Sequence, residues 1–209
     1  MYSPLDLLNY VKELKKHNLD ILSSGNISLR LDANHIAIKP TGLNYDDLTL
    51  EDISVVDLQG NLILGLKASS DLDIHLKIFS ERKDINCIIH THSHYATVMS
   101  CLNLSLKVLT TLHADYFGKE ILCMRYINHR KSNLGVKFIE LHTNVCLLER
   151  HGTLIVDADP KKAIKSAVVI EEISKLNFHI MQLQRKISPM LEEDICSLNE
   201  YYATTYGNK

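Results

Sequence analysis

The sequence predicts an α/β domain whose sheet, mixed in strand direction, is covered by helices on both faces. Short apolar runs recur through the middle of the chain, helical periodicity appears first, last and between them, and one pair of runs is joined by a hairpin turn. Helices interleaved with strands bury both faces of a sheet, and a hairpin requires antiparallel neighbours. The chain has 209 residues, 45% of them hydrophobic, which suits one domain spanning 1–209 with 188–209 as a C-terminal helix or tail.

Ser3-Pro4 followed by Asp6 reads as an N-cap, a first-turn proline and an acidic N3, and Leu7, Leu8, Val11 and Leu14 continue at helical spacing to about His17. Small polar residues around Gly25 lead into a strand. His35 to Lys39 alternates as a second strand does, and Pro40-Thr41-Gly42 stops it. Ser54–Leu58, a Gln59-Gly60-Asn61 turn and Leu62–Leu64 form a hairpin. Asp71–Ser80 is helical, with Leu72, Leu76 and Phe79 on one side. Cys87–His90 is a strand and Tyr95–Cys101 a helix. Val108–Thr111, Ile121–Met124, Val145–Leu148 and Thr153–Val156 read as further strands. Pro160 opens a long helix to about Gln184, and a last helix or tail follows Pro189.

Charge and cysteine content narrow the function classes. Twenty-three Lys+Arg balance 25 Asp+Glu, unlike a protein built to coat nucleic acid. No apolar run approaches the roughly 18 residues a membrane helix needs, and the N-terminus lacks the basic start and apolar stretch of a signal peptide. Five cysteines with no CxxC spacing fit a reducing cytoplasm, which is the expected location.

Histidine is the unusual component, with 11 residues, several of them clustered. In Ile88-Ile89-His90-Thr91-His92, residues two apart on a strand face the same way, so His90 and His92 present two imidazoles side by side. A catalytic metal needs a further ligand and an open position. His151, followed by Gly152 between two expected strands, is the candidate third ligand. Asp71 is a candidate fourth ligand, or else a partner supporting the others. His17, His35, His142 and His179 read as surface or core fillers.

Three segments suit an anion. Ser24-Gly25-Asn26-Ile27-Ser28 and Lys39-Pro40-Thr41-Gly42 combine backbone freedom, hydroxyls, an amide and a cation, and Ser69-Ser70-Asp71 places two hydroxyls at a helix start.

Taken in order, Ser-Gly-Asn-Ile-Ser, Lys-Pro-Thr-Gly, Ser-Ser-Asp, His-Thr-His and the later His-Gly resemble the class II aldolase/adducin family over about residues 5–185. The resemblance implies a three-layer α/β/α fold with a mostly antiparallel central sheet. It implies zinc on His90, His92 and His151, and a phosphorylated sugar held by a pocket that includes Gly25, Asn26, Lys39, Thr41, Gly42, Ser69 and Ser70. It also implies a homotetramer.

Two details are similar to the family's ribulose-phosphate epimerases. Asp71 stands where fuculose-phosphate-type aldolases carry glutamate, and Thr110–Phe117 is close to an epimerase segment whose aspartate, here Asp115, is an acid/base group. Tyr206-Gly207 resembles the tail that delivers the other acid/base group, a tyrosine, to a neighbouring subunit. The implied reaction is epimerisation of a pentulose 5-phosphate (L-ribulose 5-phosphate to D-xylulose 5-phosphate) by C3–C4 cleavage and re-formation. The alternative is an aldolase that releases the fragments of a deoxyketose 1-phosphate such as L-fuculose 1-phosphate, with Asp71 as base. A third reading is a non-catalytic, adducin-like assembly domain. The chain departs from epimerases in a shorter 125–148 stretch, a trimmed C-terminal segment and Arg150 before His151-Gly152.

Overall fold

The computed structural model describes residues 1–19, 21–128 and 133–206. Strands β1 (Asn26–Arg30), β2 (His35–Ile38), β3 (Ser54–Asp57), β4 (Leu62–Leu64), β5 (Cys87–Thr91), β6 (Cys123–Met124), β7 (Val145–Leu148) and β8 (Gly152–Asp157) form one sheet. Its order is β4-β3-β2-β1-β5-β8-β7-β6. Every neighbouring pair is antiparallel except β6–β7.

Strand alternation divides the core in two. Ile27, Leu29, Ile89 and Ile155 face α1 (Pro4–Lys16), α3 (His94–Cys101) and α6 (Pro160–Gln182), burying Leu7, Val11, Met99 and Ile170. Ile36, Val56, Ile88 and Leu154 face the other way, onto Ile78 and Phe79 of α2 (Leu72–Glu81) and Phe138 of α5 (Leu134–Glu140). The result is the three-layer α/β/α arrangement. The expected N-terminal signal holds in detail: Ser3 and Asp6 form a reciprocal capping box on α1.

Several expectations change. Val108–Thr111 is not a strand, because the Thr110 side chain accepts from His113 N at 3.3 Å and starts α4 (Thr111–Phe117) there. The cap overrides a short, β-branched apolar run, which period alone does not reveal. The strand expected over Ile121–Met124 shrinks to β6, with Ile121 in an isolated bridge to Leu106. Helix α5 has no counterpart among the expected elements. On α2 Phe79 is buried as expected and Leu72 and Leu76 are partly buried against the same core, which also takes in Ile78, while His75 is fully buried on the helix.

The C-terminal segment forms α7 (Glu192–Thr204), which docks on α4 of its own chain. Asn199 Nδ2 donates to the carbonyls of Ala114 and Asp115 at 3.1 and 2.9 Å. Gly118 ends α4 at φ 59°, and a Cβ there would meet Asn199 Cγ at 2.6 Å, so helix end and docking contact require the same glycine. Gly207 and part of the 125–148 stretch lie outside the described residues.

Candidate metal and phosphate site

The site is built on a match of periods between a strand and a helix. Asn26, Ser28 and Arg30 project from one face of β1 toward α2. Asn26 Nδ2 donates to Asp71 Oδ2 at 2.7 Å, Ser28 Oγ meets His75 Nδ1 at 2.6 Å, and Arg30 donates to the Phe79 carbonyl at 2.9 Å. Steps of two on a strand cover about 6.6 Å and steps of four on a helix about 6 Å, so 26/28/30 stay in phase with 71/75/79. Arg30 also donates to the carbonyls of Ile85 and Arg82, fixing the C-terminal end of α2. Asn26 lies directly opposite His90 in the β1–β5 ladder, so the same face carries His90 beside Asp71.

His90, His92 and His151 converge. Their candidate ligand atoms all lie within 4.8 Å of one another, and their ring centroids are 4.6–4.7 Å apart. His90 Nδ1 lies 2.7 Å from the Thr153 carbonyl. A carbonyl only accepts, so Nδ1 carries the proton and Nε2 presents its lone pair inward. His92 Nε2 is 2.8 Å from that Nε2. Tetrahedral zinc–nitrogen bonds of about 2.0–2.1 Å place ligand nitrogens about 3.4 Å apart, between the shortest and longest spacings here. Three neutral nitrogen donors aimed at one point fit a borderline-soft divalent cation.

His151 reaches the cluster from the β7–β8 turn. Its N–H donates to the Leu148 carbonyl at 2.9 Å, and Arg150 takes φ 61° to close that turn. A non-glycine residue in this region costs on the order of 1 kcal/mol. Gly152 lies against β5 so closely that a Cβ would sit 2.1 Å from the Thr91 carbonyl oxygen. The turn is therefore pressed onto the end of the strand that carries His90 and leads to His92.

Asp71 stands 3.9 Å from His90 Nε2 and is nearly buried. Burial alone raises its pKa, but the nearby imidazoles, His90 first, and the Asn26 N–H outweigh it and hold the carboxyl below its ordinary value. Ile74, Leu134, Leu148 and Leu154 wall the inner side of the cluster, and a dry wall strengthens every charge interaction there. His75, fully buried, is pushed down to about 4 by desolvation and is neutral at pH 7. His75 is not among the residues that sequence reasoning singles out. Its signal is nonetheless available: it lies four residues after Asp71, on the same helix face.

The phosphate candidates divide. Thr41, Ser69 and Ser70 line one cleft of about 440 Å³ together with Lys67. Gly25 and Gly42 both adopt left-handed φ, 76° and 77°, and a Cβ on Gly25 would meet the His90 carbonyl at 2.7 Å. Lys39 and Asn26 point elsewhere. The Lys39 ammonium is buried and donates to the carbonyls of Ser23, Pro40 and Leu43, while sitting 4.8 Å above the Tyr45 ring. It ties the two glycine turns together. The Asn26 side chain bridges Asp71 and His75.

Asp115 and Tyr206 meet around Tyr202, where α4 packs on α7. The Tyr202 ring lies 4.9 Å from Tyr116 and stacks on Tyr206 at 5.1 Å. Burial, a hydrogen bond with Tyr116 and the nearby Tyr206 and Asp115 raise the Tyr202 pKa. Tyr206 is exposed.

The described residues contain no helix long and apolar enough to cross a membrane. Residues 6–178 match the model of the class II aldolase and adducin N-terminal domain. An L-fuculose phosphate aldolase of Methanococcus maripaludis (strain C7 / ATCC BAA-1331) is 36% identical over 183 residues, covering 86% of this chain and 100% of that protein. The solved structure of an L-fuculose 1-phosphate aldolase superposes with a TM-score of 0.85 at 27% identity, over 97% of this chain and 98% of that one. An L-fuculose-1-phosphate aldolase from Thermus thermophilus shares the fold, with a TM-score of 0.71 at 22% identity over 86% and 95% of the two chains. By the family match over most of its length and by these relatives, the chain belongs to the class II aldolase and adducin N-terminal domain family.

Proposed function

We propose that this chain is a metal-dependent lyase that cleaves a deoxyketose 1-phosphate, of which L-fuculose 1-phosphate is the first candidate, into dihydroxyacetone phosphate and an aldehyde. One observation carries the reading: an ionised, nearly buried carboxylate, Asp71, adjoins three converging imidazoles and follows directly on two serines that line an open cleft. The names of the relatives support it. A zinc ion held by His90, His92 and His151 would draw electron density from the ketose oxygens when the C3–C4 bond breaks.

The chain's own residues supply the rest. Ser69, Ser70, Thr41 and the backbone at Gly42 and Gly25 hold the phosphate, which fixes the distance from phosphorus to the reacting carbons. As the C4 hydroxyl gives up its proton and the C3–C4 bond breaks, the electron pair of that bond passes to the ketose fragment. Asp71, having taken a proton from solvent, delivers it to C3 once the aldehyde has left, and removes it in the reverse, condensing direction. Asp115 and Tyr206 serve the leaving hydroxyl of a neighbouring subunit's site, within a homo-oligomer expected to be a tetramer. A cytoplasmic location accords with this chemistry.

Asp71 in place of glutamate and the Thr110–Phe117 segment support a second reading, 4-epimerisation of L-ribulose 5-phosphate at the same site. Incubation with each sugar phosphate separates the two. Release of dihydroxyacetone phosphate from L-fuculose 1-phosphate supports the lyase. Conversion of L-ribulose 5-phosphate to D-xylulose 5-phosphate without free aldehyde replaces it with the epimerase, and neither product from the metal-loaded protein refutes both.

A further inference from the structure

We infer that His75 is a positioning residue: its Nε2–H holds the Asn26 carbonyl, which keeps an Asn26 N–H turned toward Asp71 and so aims the Asp71 carboxylate at the histidine cluster. The inference deepens the proposed function in that it rests on Asp71 acting there.

Hydrogen-bond polarity decides which way each group of this chain faces. Ser28, His75 and Asn26 are all buried, so no bulk water can substitute for a wrong partner. The contacts Ser28 Oγ–His75 Nδ1 and His75 Nε2–Asn26 Oδ1 are both 2.6 Å, and Asn26 Nδ2–Asp71 Oδ2 is 2.7 Å. A neutral imidazole has one donor and one acceptor, and an amide has one end of each kind, so only two arrangements are self-consistent. In one, Ser28 donates to Nδ1, Nε2–H donates to the Asn26 carbonyl, and the Asn26 N–H donates to Asp71. In the other, the ring tautomer and the amide are both reversed, and the Asn26 oxygen faces the carboxylate oxygen. An ionised Asp71 forbids the second. Ser28 serves either tautomer, because its hydroxyl donates or accepts; the carboxylate selects the first set, and the Nε2–H donated to the Asn26 carbonyl then holds the amide against the flip that would turn Asp71 away. Docking of α2 does not need this histidine, because Arg30 already holds the end of that helix through three carbonyls.

Two measurements test this, and neither uses a substrate, so they stand or fall separately from the lyase reading. Ring nitrogen–proton correlation spectra of the wild-type protein should show His75 as the neutral Nε2–H tautomer. An Nδ1–H tautomer overturns the inference, and this result needs no variant to fold. The second is a cycle of Co(II) affinities on Ser28→Ala/His75→Leu, Asp71→Asn and their combination. Removing Ser28 and His75 together leaves apolar fill rather than an orphaned hydroxyl, and should weaken Co(II) binding by about 10–100-fold, the usual effect of losing an outer support. With Asp71→Asn already in place, the same pair of changes should cost nothing further. Unchanged affinity in the first case, or an equal loss with and without the Asp71 carboxylate, overturns the inference.

Discussion

Gly25 and Gly42 form a matched pair that isolates how the turn at Gly25 leans on β5. Their φ angles are 76° and 77°, so an alanine at either position bears the same backbone cost, roughly 1–2 kcal/mol for a left-handed L-residue. Their surroundings differ. A Cβ at 42 meets nothing within 4 Å, whereas a Cβ at 25 would lie 2.7 Å from the His90 carbonyl and 3.2 Å from the Tyr45 hydroxyl, the first inside the 3.0 Å that Cβ atoms keep. Relieving a backbone collision of that kind costs about 1–3 kcal/mol more. At about 2–4 °C per kcal/mol for a chain of this size, Gly25→Ala should melt about 2–12 °C below Gly42→Ala. Urea unfolding of both at one protein concentration, with unchanged slope, gives the same difference as a free energy. Because the displaced atom belongs to His90, Co(II) affinity should fall in Gly25→Ala and hold in Gly42→Ala. Equal losses of stability in the two variants would refute the claim that Gly25 bears on β5.

Chelation and reloading should give one divalent cation per chain by elemental analysis, and His151→Ala should weaken its binding by more than the roughly 10–100-fold typical of an outer support. Truncation before α7 removes Tyr206 but no ligand, so turnover should vanish while Co(II) titration still reports a site. Asp115→Asn should lower turnover at an unchanged melting temperature, and a purely monomeric mass in solution would remove Tyr206 from a neighbour's site. Thiol titration of the native protein should find two fast groups, Cys101 and Cys196, since burial raises the Cys87 and Cys146 thiols and pushes Cys123 up to about 11. Acid should destabilise the metal-free protein through His75. Its folded pKa of about 4 lies below the 6.5 of a free histidine, so between those values the unfolded chain binds a proton that the native state refuses. That stability is complete above about pH 6.5 and is lost as pH falls toward 4, by on the order of 3 kcal/mol. Urea midpoints across this window should flatten in Ser28→Ala/His75→Leu.

What the sequence reveals follows from how local each signal is. Ser3-Pro4-Leu5-Asp6 announces α1 because a capping box is complete within four residues. The imidazole pair at 90 and 92 is legible because a strand's period is two, and His151 because a glycine follows it. Helix α4 escapes such reading because its start rests on one threonine hydroxyl inside an apolar, β-branched run. The support role of Asn26 and Lys39 is hidden for a different reason. Both sit in segments with the right composition for an anion, and only the tertiary fold shows their polar atoms spent on Asp71, His75 and three carbonyls. His75 falls between these cases: its spacing from Asp71 is plain in the sequence, but a buried histidine within a helix reads as core until its partners on β1 are known.

On the proposed function, the two halves of the chemistry rest on parts of the fold with different stability. His90 lies on β5, His92 just past its end, His151 in the β7–β8 turn and Asp71 at the N-cap of α2, all next to elements locked by the sheet ladder and by the polar contacts between β1 and α2. Asp115 lies on α4 and Tyr206 just past α7, two helices joined by a small apolar cluster around Val108, Ala114 and Ile195, by the Tyr116–Tyr202 pair and by Asn199. Few buried contacts mean a low cost of local opening, so α7 can detach while the sheet stays folded. A cation seat of this kind must hold its geometry continuously, because its affinity depends on ligands that do not move. An acid/base group that meets the substrate from outside has the opposite requirement: it must leave room for entry and then close. The division between central strands and peripheral helices gives each half the rigidity its task demands.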